Sequence, residues 1–124
     1  MPLSIQKRTS RDFTETLALG GRLDTDTAPA LDLEIDRIAG AAVKTLVFDL
    51  AGLVYISSAG LRCFARAQKV MKARAGAVLI VNPQAPVQKV LDIVKAVPVS
   101  SIFQSVRELD DYLDAMQKQV RDGD

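Results

Sequence analysis

The sequence has no histidine and no tryptophan, and its 124 residues include a single cysteine. Without histidine, the Ser-His-Asp and Cys-His nucleophile arrangements, His-containing zinc sites and imidazole proton shuttles are excluded. The glycine patterns of dinucleotide-binding and P-loop sites are also missing. The lone Cys63 excludes an internal disulfide and fits a reducing compartment. We therefore expect a protein that is not an enzyme and that holds no metal or cofactor.

Excess charge of one sign and long apolar runs are lacking as well. Sixteen Lys and Arg residues oppose fifteen Asp and Glu residues, so the polybasic surface typical of nucleic-acid-binding proteins is not indicated. No apolar run approaches the roughly 18 residues of a membrane span, and the first residues lack the apolar segment of a signal peptide. We expect a cytoplasmic protein without direct nucleic-acid contact or membrane insertion.

The composition is typical of one ordinary globular domain. Hydrophobic residues make up 48% of the chain and charged residues 25%, close to the average for globular proteins. The length leaves no room for two independent cores. We expect a single domain over residues 1–124, with a polar tail from about residue 118.

Apolar periodicity alternates between the patterns of strands and helices. Alternating segments at residues 3–8 and 13–19, the latter with Phe13 on the buried side, predict a hairpin, and apolar runs at 44–50 and 77–81 predict buried strands. Gly20-Gly21 should end the second strand, and residues 51–57 should form a loop. Helical spacing follows each of these strands except the first, and a short strand at 100–103 precedes a last helix. The order predicts an α/β fold with a mixed, mostly parallel sheet of about five strands and about four helices.

Two serines stand where the second predicted helix begins, after a buried strand. In open α/β sheets the functional crevice lies at such carboxyl ends of strands. A phosphate on Ser58 would be tolerated by the N–H groups and dipole of the helix, whereas a partner covering it would meet an unpaired charge at a cost of about 2–5 kcal/mol. The alternative is that Ser57 or Ser58 is only a helix N-cap, worth about 1 kcal/mol.

This element order resembles that of the STAS domain family, in particular its stand-alone bacterial anti-sigma factor antagonists. The segment that carries the resemblance is Tyr55-Ile56-Ser57-Ser58-Ala59-Gly60-Leu61-Arg62, preceded by Phe48-Asp49-Leu50. The resemblance implies that the unmodified protein binds an anti-sigma factor, a serine kinase with a GHKL-type ATP fold, and thereby frees the sigma factor. The kinase phosphorylates the motif serine, which breaks the complex, and a PP2C-type phosphatase restores it.

The resemblance also implies roles for individual residues. Ser58 matches the phosphorylated serine, and Ser57 is the second choice because it replaces an aspartate and leaves two adjacent hydroxyls. Asp24 matches the Asp of the family's G-x-L-D segment, with helix capping as the alternative, and Asn82 matches a turn position beside the same surface, although an Asn before Pro also fits an ordinary turn. The implied partner-binding residues are Asp24, Ser57, Ser58, Ala59, Gly60, Leu61, Arg62 and Asn82.

Two other functions stay open. A STAS structural subunit of a lipid-transport ABC complex or sensory scaffold would hold other chains through the same surface without a phosphorylation cycle. A nucleotide- or metabolite-binding sensor would use the crevice at the end of the sheet, which is generic to such folds. Cys63 lies one residue from Phe64 on the second predicted helix, a position that allows partial exposure, and is interpreted as a small structural hydrophobic residue rather than a redox sensor.

Overall fold

The computed structural model describes residues 2–9 and 13–96 and six helical residues near the C-terminus, 111, 113–115, 117 and 118, which we call the C-terminal helical segment. The elements in chain order are β1 (Ser4–Thr9), β2 (Thr14–Leu23), α1 (Ala28–Ala39), β3 (Thr45–Ile56), α2 (Ser58–Lys72), β4 (Ala77–Val81) and α3 (Ala85–Ala96). The predicted strand at 100–103 and the predicted core positions Val106, Leu109, Met116 and Val120 lie outside the described residues.

The described strands form one sheet in the order β1-β2-β3-β4. β1 and β2 are antiparallel, whereas β3 runs parallel to both β2 and β4. This arrangement confirms the predicted α/β class with a mixed, mostly parallel sheet.

The core lies between the sheet and the helices. The four apolar positions predicted for α1 are all buried: Ala28, Leu31, Ile35 and Ile38. Phe48 of β3 and Phe64 of α2 bring their ring centroids within 4.7 Å, which joins the central strand to the helix that follows it. Burial of apolar side chains from both layers is what holds the helices against the sheet.

Both central strands are longer than the sequence pattern predicts. β2 continues through Gly20 and Gly21 to Leu23, and β3 continues to Ile56, so the predicted strand end at Gly20-Gly21 and the predicted loop at 51–57 are wrong. Gly20 lies opposite Gly52, and register shifts on either side of this pair give β3 two more residues than β2 over the same stretch. Bulges of this kind keep a strand paired where its alternation breaks.

Phe13 also departs from the prediction of a buried position. It is 65% exposed and has a left-handed backbone with φ of 62°. Its carbonyl oxygen accepts hydrogen bonds from the backbone N–H groups of Lys44 and Thr45, at 2.8 and 3.2 Å. The position of Phe13 is therefore determined by main-chain bonds to the start of β3 and not by burial of its ring.

Two arginines, one in α2 and one just beyond it, have structural partners on α1 and in the loop after it. Arg66 is paired with Asp32 and Asp36. Arg74, just beyond α2, donates four hydrogen bonds of 2.6–3.2 Å to backbone carbonyls at the end of α1 and in the loop after it, those of Ile38, Ala39, Ala41 and Val43. Carbonyl groups at a helix C-terminus lack partners within the helix, so one guanidinium completes α1 and fixes it to α2.

Candidate functional site

The candidate site lies where β2 and β3 end side by side. Their last residues, Leu23 and Ile56, are register partners, and the backbone N–H of Ser57 donates to the carbonyl oxygen of Leu23 at 2.9 Å. Asp24 and Ser57 follow these two strand ends directly, and Ser58 opens α2. The structure therefore brings Asp24 together with the serine pair at one edge of the sheet.

Asn82 does not lie at the ends of β2 and β3. β4 pairs with β3 only as far as Asp49, which also pairs with Ala18. Leu23 lies five positions beyond Ala18 on β2, a distance of roughly 16 Å along the strand. The Asn82 side-chain amide instead donates to Asp49 Oδ1 at 3.3 Å. Asn82 thus belongs to the middle of β3 and not to its carboxyl end.

Both motif serines are buried. Ser57 and Ser58 are 3% and 4% exposed, and each hydroxyl oxygen has less than 1 Å² of accessible area. Ser57 occupies the N-cap position of α2 with an extended backbone, but its side chain makes no capping hydrogen bond. Among the described residues, the Ser57 hydroxyl has no hydrogen-bond partner. The sequence located the start of the helix correctly and did not indicate this burial.

Gly60 explains why the first turn of α2 is buried. A Cβ at this position would lie 2.7 Å from Leu23 Cγ and 2.8 Å from Ile56 Cγ1, closer than carbon atoms approach. The helix therefore packs directly on the two strand ends. Of the other predicted partner-binding residues on this turn, Ala59 is buried, Leu61 is half-buried and Arg62 is exposed.

Asp24 orders the turn that precedes α1, and the N-cap of that helix is Thr27. Asp24 Oδ1 accepts hydrogen bonds from the backbone N–H groups of Asp26 and Thr27, at 3.0 and 3.1 Å. In return Thr27 Oγ1 accepts a bond from the Asp24 N–H at 2.9 Å. The other carboxylate oxygen, Oδ2, lies 3.8 Å from Arg22 Nε, and the side chain is 29% exposed. Asp24 therefore orders the turn before α1 and still presents a charged oxygen near the surface.

A second group of residues at this edge carries no signal in the sequence. The Arg22 guanidinium carbon lies 3.8 Å from the centroid of the Tyr55 ring, an arrangement in which the cation is attracted to the ring face. The Tyr55 hydroxyl donates to the carboxylate of Asp114 in the C-terminal helical segment. The bond between Tyr55 and Asp114 joins residues 59 positions apart, and Arg22 is also far from Tyr55 along the chain, so no local pattern could have indicated these contacts.

Gln117 of the same segment contacts the end of β3. Its Oε1 accepts a bond from the Ile56 N–H at 2.9 Å, and its Nε2 donates to the Ile56 carbonyl at 2.9 Å and to the Leu113 carbonyl at 3.0 Å. Gln117 is 4% exposed and Leu113 is 1% exposed. The residue directly before the serine pair is thus bound through its backbone by a buried side-chain amide.

Cys63 is fully buried on the face of α2 that meets α1, without the partial exposure that its position in the sequence allowed. It is 2% exposed, and its sulfur lies 3.4 Å from Asp32 Oδ1. Burial, together with the hydrogen bond to Asp32, raises the pKa of the Cys63 thiol to about 12. The thiol therefore stays protonated, and a protonated thiol is a poor nucleophile and a poor metal ligand.

In the part of the chain that the structure describes, no three Cys, Asp or Glu side chains are grouped in a way that would hold a metal ion. None of the helices described there combines the length and the apolar character needed to cross a bilayer.

The chain matches a known protein family in sequence and several solved structures in fold. The family model described as STAS domain matches residues 4–109. Structures of the anti-sigma factor antagonist SpoIIAA in its unphosphorylated form and of the Bacillus cell fate determinant SpoIIAA in the phosphorylated form each align with a TM-score of 0.64 at 22% identity, over 73% of this chain and 83% of theirs. An anti-sigma factor antagonist from Mycobacterium paratuberculosis aligns over 96% of this chain and 94% of its own, with a TM-score of 0.61 at 21% identity. No curated protein sequence matches the chain. At these identities the likeness to solved structures shows a shared fold.

Proposed function

The chain belongs to the STAS domain family, and from this premise we propose that it is an anti-sigma factor antagonist that works by partner switching. In its unmodified form it binds an anti-sigma factor serine kinase of the GHKL type. Phosphorylation of Ser58 by that kinase ends the binding, and a PP2C-type phosphatase restores it. The observation that carries the proposal is the place of Ser58 at the first residue of α2, on the edge that β2 and β3 form with Asp24.

The proposed modification is a phosphoryl transfer from ATP. The Ser58 hydroxyl oxygen bonds to the γ-phosphorus, the bond between that phosphorus and the bridging oxygen breaks, and ADP leaves. The hydroxyl proton passes to a base of the kinase. The product carries about −1.5 to −2 charges at residue 58. These charges stand next to unsatisfied backbone N–H groups and the positive end of the helix dipole.

The electrostatic surroundings of α2 favour this product. The first turn of the helix contains no acidic residue, so no neighbouring carboxylate on the helix opposes a phosphate there. Arg62 follows one turn later and is exposed. A residue four positions along a helix lies on the same face, which places a cation near the modified side chain. The scaffold therefore accommodates the charge, and the partner is the element that is repelled.

Phosphorylation acts as a switch only if it lowers the affinity for the kinase enough to release it. A charge left unpaired in an interface costs about 2–5 kcal/mol, which corresponds to a loss of affinity of about 30-fold to several thousand-fold. A loss of this size releases the kinase at ordinary protein concentrations. The same argument predicts that Ser58→Ala binds the kinase permanently and that Ser58→Asp binds weakly.

The test is phosphorylation by the cognate kinase with ATP, followed by mapping of the phosphate by mass spectrometry. The wild-type chain and Ser57→Ala should each take up one phosphate at Ser58, and Ser58→Ala should take up none and remain bound in a pull-down. Phosphate found only at sites other than Ser57 and Ser58 would refute the mechanism. Permanent association with transporter subunits and no phosphate uptake would favour the structural-subunit function instead.

A further inference from the structure

Among the described strands, none pairs with the end of β3 on the side of β4. β4 ends opposite Asp49, and β3 continues for seven residues beyond that pair to Ile56. At Ile56 the Gln117 amide accepts from the backbone N–H and donates to the backbone carbonyl, with two bonds of 2.9 Å. One side-chain amide thus supplies the donor and the acceptor that a strand would supply in a ladder.

Ile56 connects this contact to the phosphorylation site. Its backbone directly precedes Ser57, and its side chain packs against Gly60 in the first turn of α2. The neighbouring Tyr55 is bound by Asp114 of the same C-terminal helical segment. The two residues before the serine pair, Tyr55 and Ile56, are therefore both hydrogen-bonded to this segment. Because Ile56 packs against Gly60, a displacement of Ile56 shifts the turn that contains Ser58.

The described conformation does not present Ser58 to a kinase. The hydroxyl oxygen has less than 1 Å² of accessible area, and phosphoryl transfer requires that oxygen to reach the γ-phosphorus in line with the leaving ADP. A kinase can modify Ser58 only after the first turn of α2 has opened. Whatever holds that turn closed therefore controls the rate of modification.

We infer that the Gln117 amide is a latch that keeps Ser58 closed, and that release of its two bonds to Ile56 opens the site to the kinase. The regulatory meaning of this latch rests on the proposed function. Gln117 acts through Ile56 and contacts no reacting atom, so it is a positioning residue. Loss of two buried hydrogen bonds should raise the population of the open form roughly 10- to 100-fold.

Accessibility at residue 58 can be measured without any kinase by labelling a thiol placed there. The parent protein for this test carries Ser58→Cys and Cys63→Ala, and the probe is 5,5′-dithiobis(2-nitrobenzoic acid). Adding Gln117→Ala should raise the labelling rate roughly 10- to 100-fold. The matched control is Gln84→Ala, because Gln84 Nε2 also donates to a β3 carbonyl, that of Ala51, at 2.6 Å. This control should leave the rate unchanged.

Loss of the whole fold must be separated from local opening. Labelling through local opening is nearly independent of low urea concentrations, whereas labelling through global unfolding rises steeply with urea. Gln117→Glu serves as a second variant, because its carboxylate accepts from the Ile56 N–H and has no proton to donate to the Ile56 carbonyl. Because a buried, unpaired carboxylate that faces the Ile56 and Leu113 carbonyl oxygens is strongly unfavourable, this variant should give an increase at least as large as that of Gln117→Ala, again with little dependence on urea.

The outcomes distinguish this inference from the proposed function. An unchanged rate in Gln117→Ala overturns the latch, and so does an increase that appears only through urea-dependent unfolding. A urea-independent increase supports the latch even if phosphate maps elsewhere, in which case the proposed function alone fails. Phosphorylation of Ser58 in the kinase assay together with an unchanged labelling rate leaves the proposed function standing and removes the latch.

Discussion

Asp24 and Thr27 cap each other's backbone. Oδ1 of Asp24 accepts from the N–H of Thr27 at 3.1 Å, and Oγ1 of Thr27 accepts from the N–H of Asp24 at 2.9 Å. This exchange resembles a capping box, in which two side chains satisfy backbone donors reciprocally. The capping uses Oδ1 alone, so the charge of Asp24 and its structural role can be separated by mutation.

Asp24→Asn should keep the turn before α1 and remove the charge. The amide oxygen can accept the same two bonds, so the free energy of unfolding should change by less than about 0.5 kcal/mol. Asp24→Ala removes the acceptor and should lower that free energy by about 1 kcal/mol. Urea unfolding of both variants, with kinase binding measured in parallel, checks this. Equal stability losses in the two variants would contradict the capping role.

Ser57→Ala should stabilise the protein by up to about 1 kcal/mol. The Ser57 hydroxyl is buried, makes no capping bond and has no hydrogen-bond partner among the described residues, and a buried unpaired hydroxyl is unfavourable by about 1–3 kcal/mol. Thr27→Val is the control with the opposite sign, because its hydroxyl accepts one bond and donates another to the Arg22 carbonyl. Urea unfolding measures both, and a clear loss of stability in Ser57→Ala would show that its hydroxyl is bonded.

Gly60→Ala should destabilise the protein by about 1–3 kcal/mol. The new methyl group would lie within 2.9 Å of side-chain carbons of Leu23 and Ile56, and overpacking of a close contact has a cost of this size. Gly40→Ala is the matched control, since a Cβ there meets only the Arg37 carbonyl at 3.7 Å. Thermal and urea unfolding should separate the two variants, and equal stabilities would contradict the packing described for α2.

Cys63 should not react with thiol reagents in the folded protein at mildly alkaline pH. Its side chain is 2% exposed and its pKa is raised to about 12, so very little thiolate is present and reagents have no access to it. Titration with 5,5′-dithiobis(2-nitrobenzoic acid) should detect no free thiol until denaturant unfolds the chain, and then one. Fast reaction of the native protein would contradict this burial.

Asp49 should contribute to stability in a way that depends on acid pH. The Ala51 N–H, the Asn82 amide and Arg8 hold the pKa of Asp49 below its ordinary value of 3.8. The ionised form is therefore favoured in the folded state, and its contribution is present above pH 3.8 and is lost as the pH falls through the folded-state pKa. The difference in unfolding free energy between wild type and Asp49→Asn should shrink over that range in urea titrations. A difference independent of pH would contradict this account.

The sequence predicts the elements of this fold better than their ends. The apolar spacing of α1 is reproduced because it depends on burial along one element. A strand also forms at residues 77–81, but the prediction that it is buried is wrong, since no residue of β4 is buried and Leu79 is 51% exposed. The extents of β2 and β3 are not predictable in the same way, because Gly20 and Gly52 pair across strands and only the sheet shows why glycine is tolerated there.

In the candidate site, too, features set by local sequence are predictable and features set by distant contacts are not. The position of Ser58 at the start of a helix follows from local pattern, and the structure reproduces it. Its burial, the Gln117 contact and the separation of Asn82 depend on register and on contacts between distant parts of the chain, up to 61 positions apart. Local periodicity carries no information on such contacts, so these features become visible only in three dimensions.

β3 extends beyond the last residue that pairs with β4, so β4 ends well before β2 and β3 do at the carboxyl edge of the sheet. A protein that docks at the ends of β2 and β3 contacts the exposed oxygen of Asp24 and covers the buried serine pair, whereas Asn82 and Asp49 lie roughly 16 Å back along the sheet. Only a binding partner whose surface follows this offset can contact the end of β4 and the ends of β2 and β3 at once. Substitutions at Asn82 therefore report whether a bound protein also contacts the end of β4 or contacts only the ends of β2 and β3.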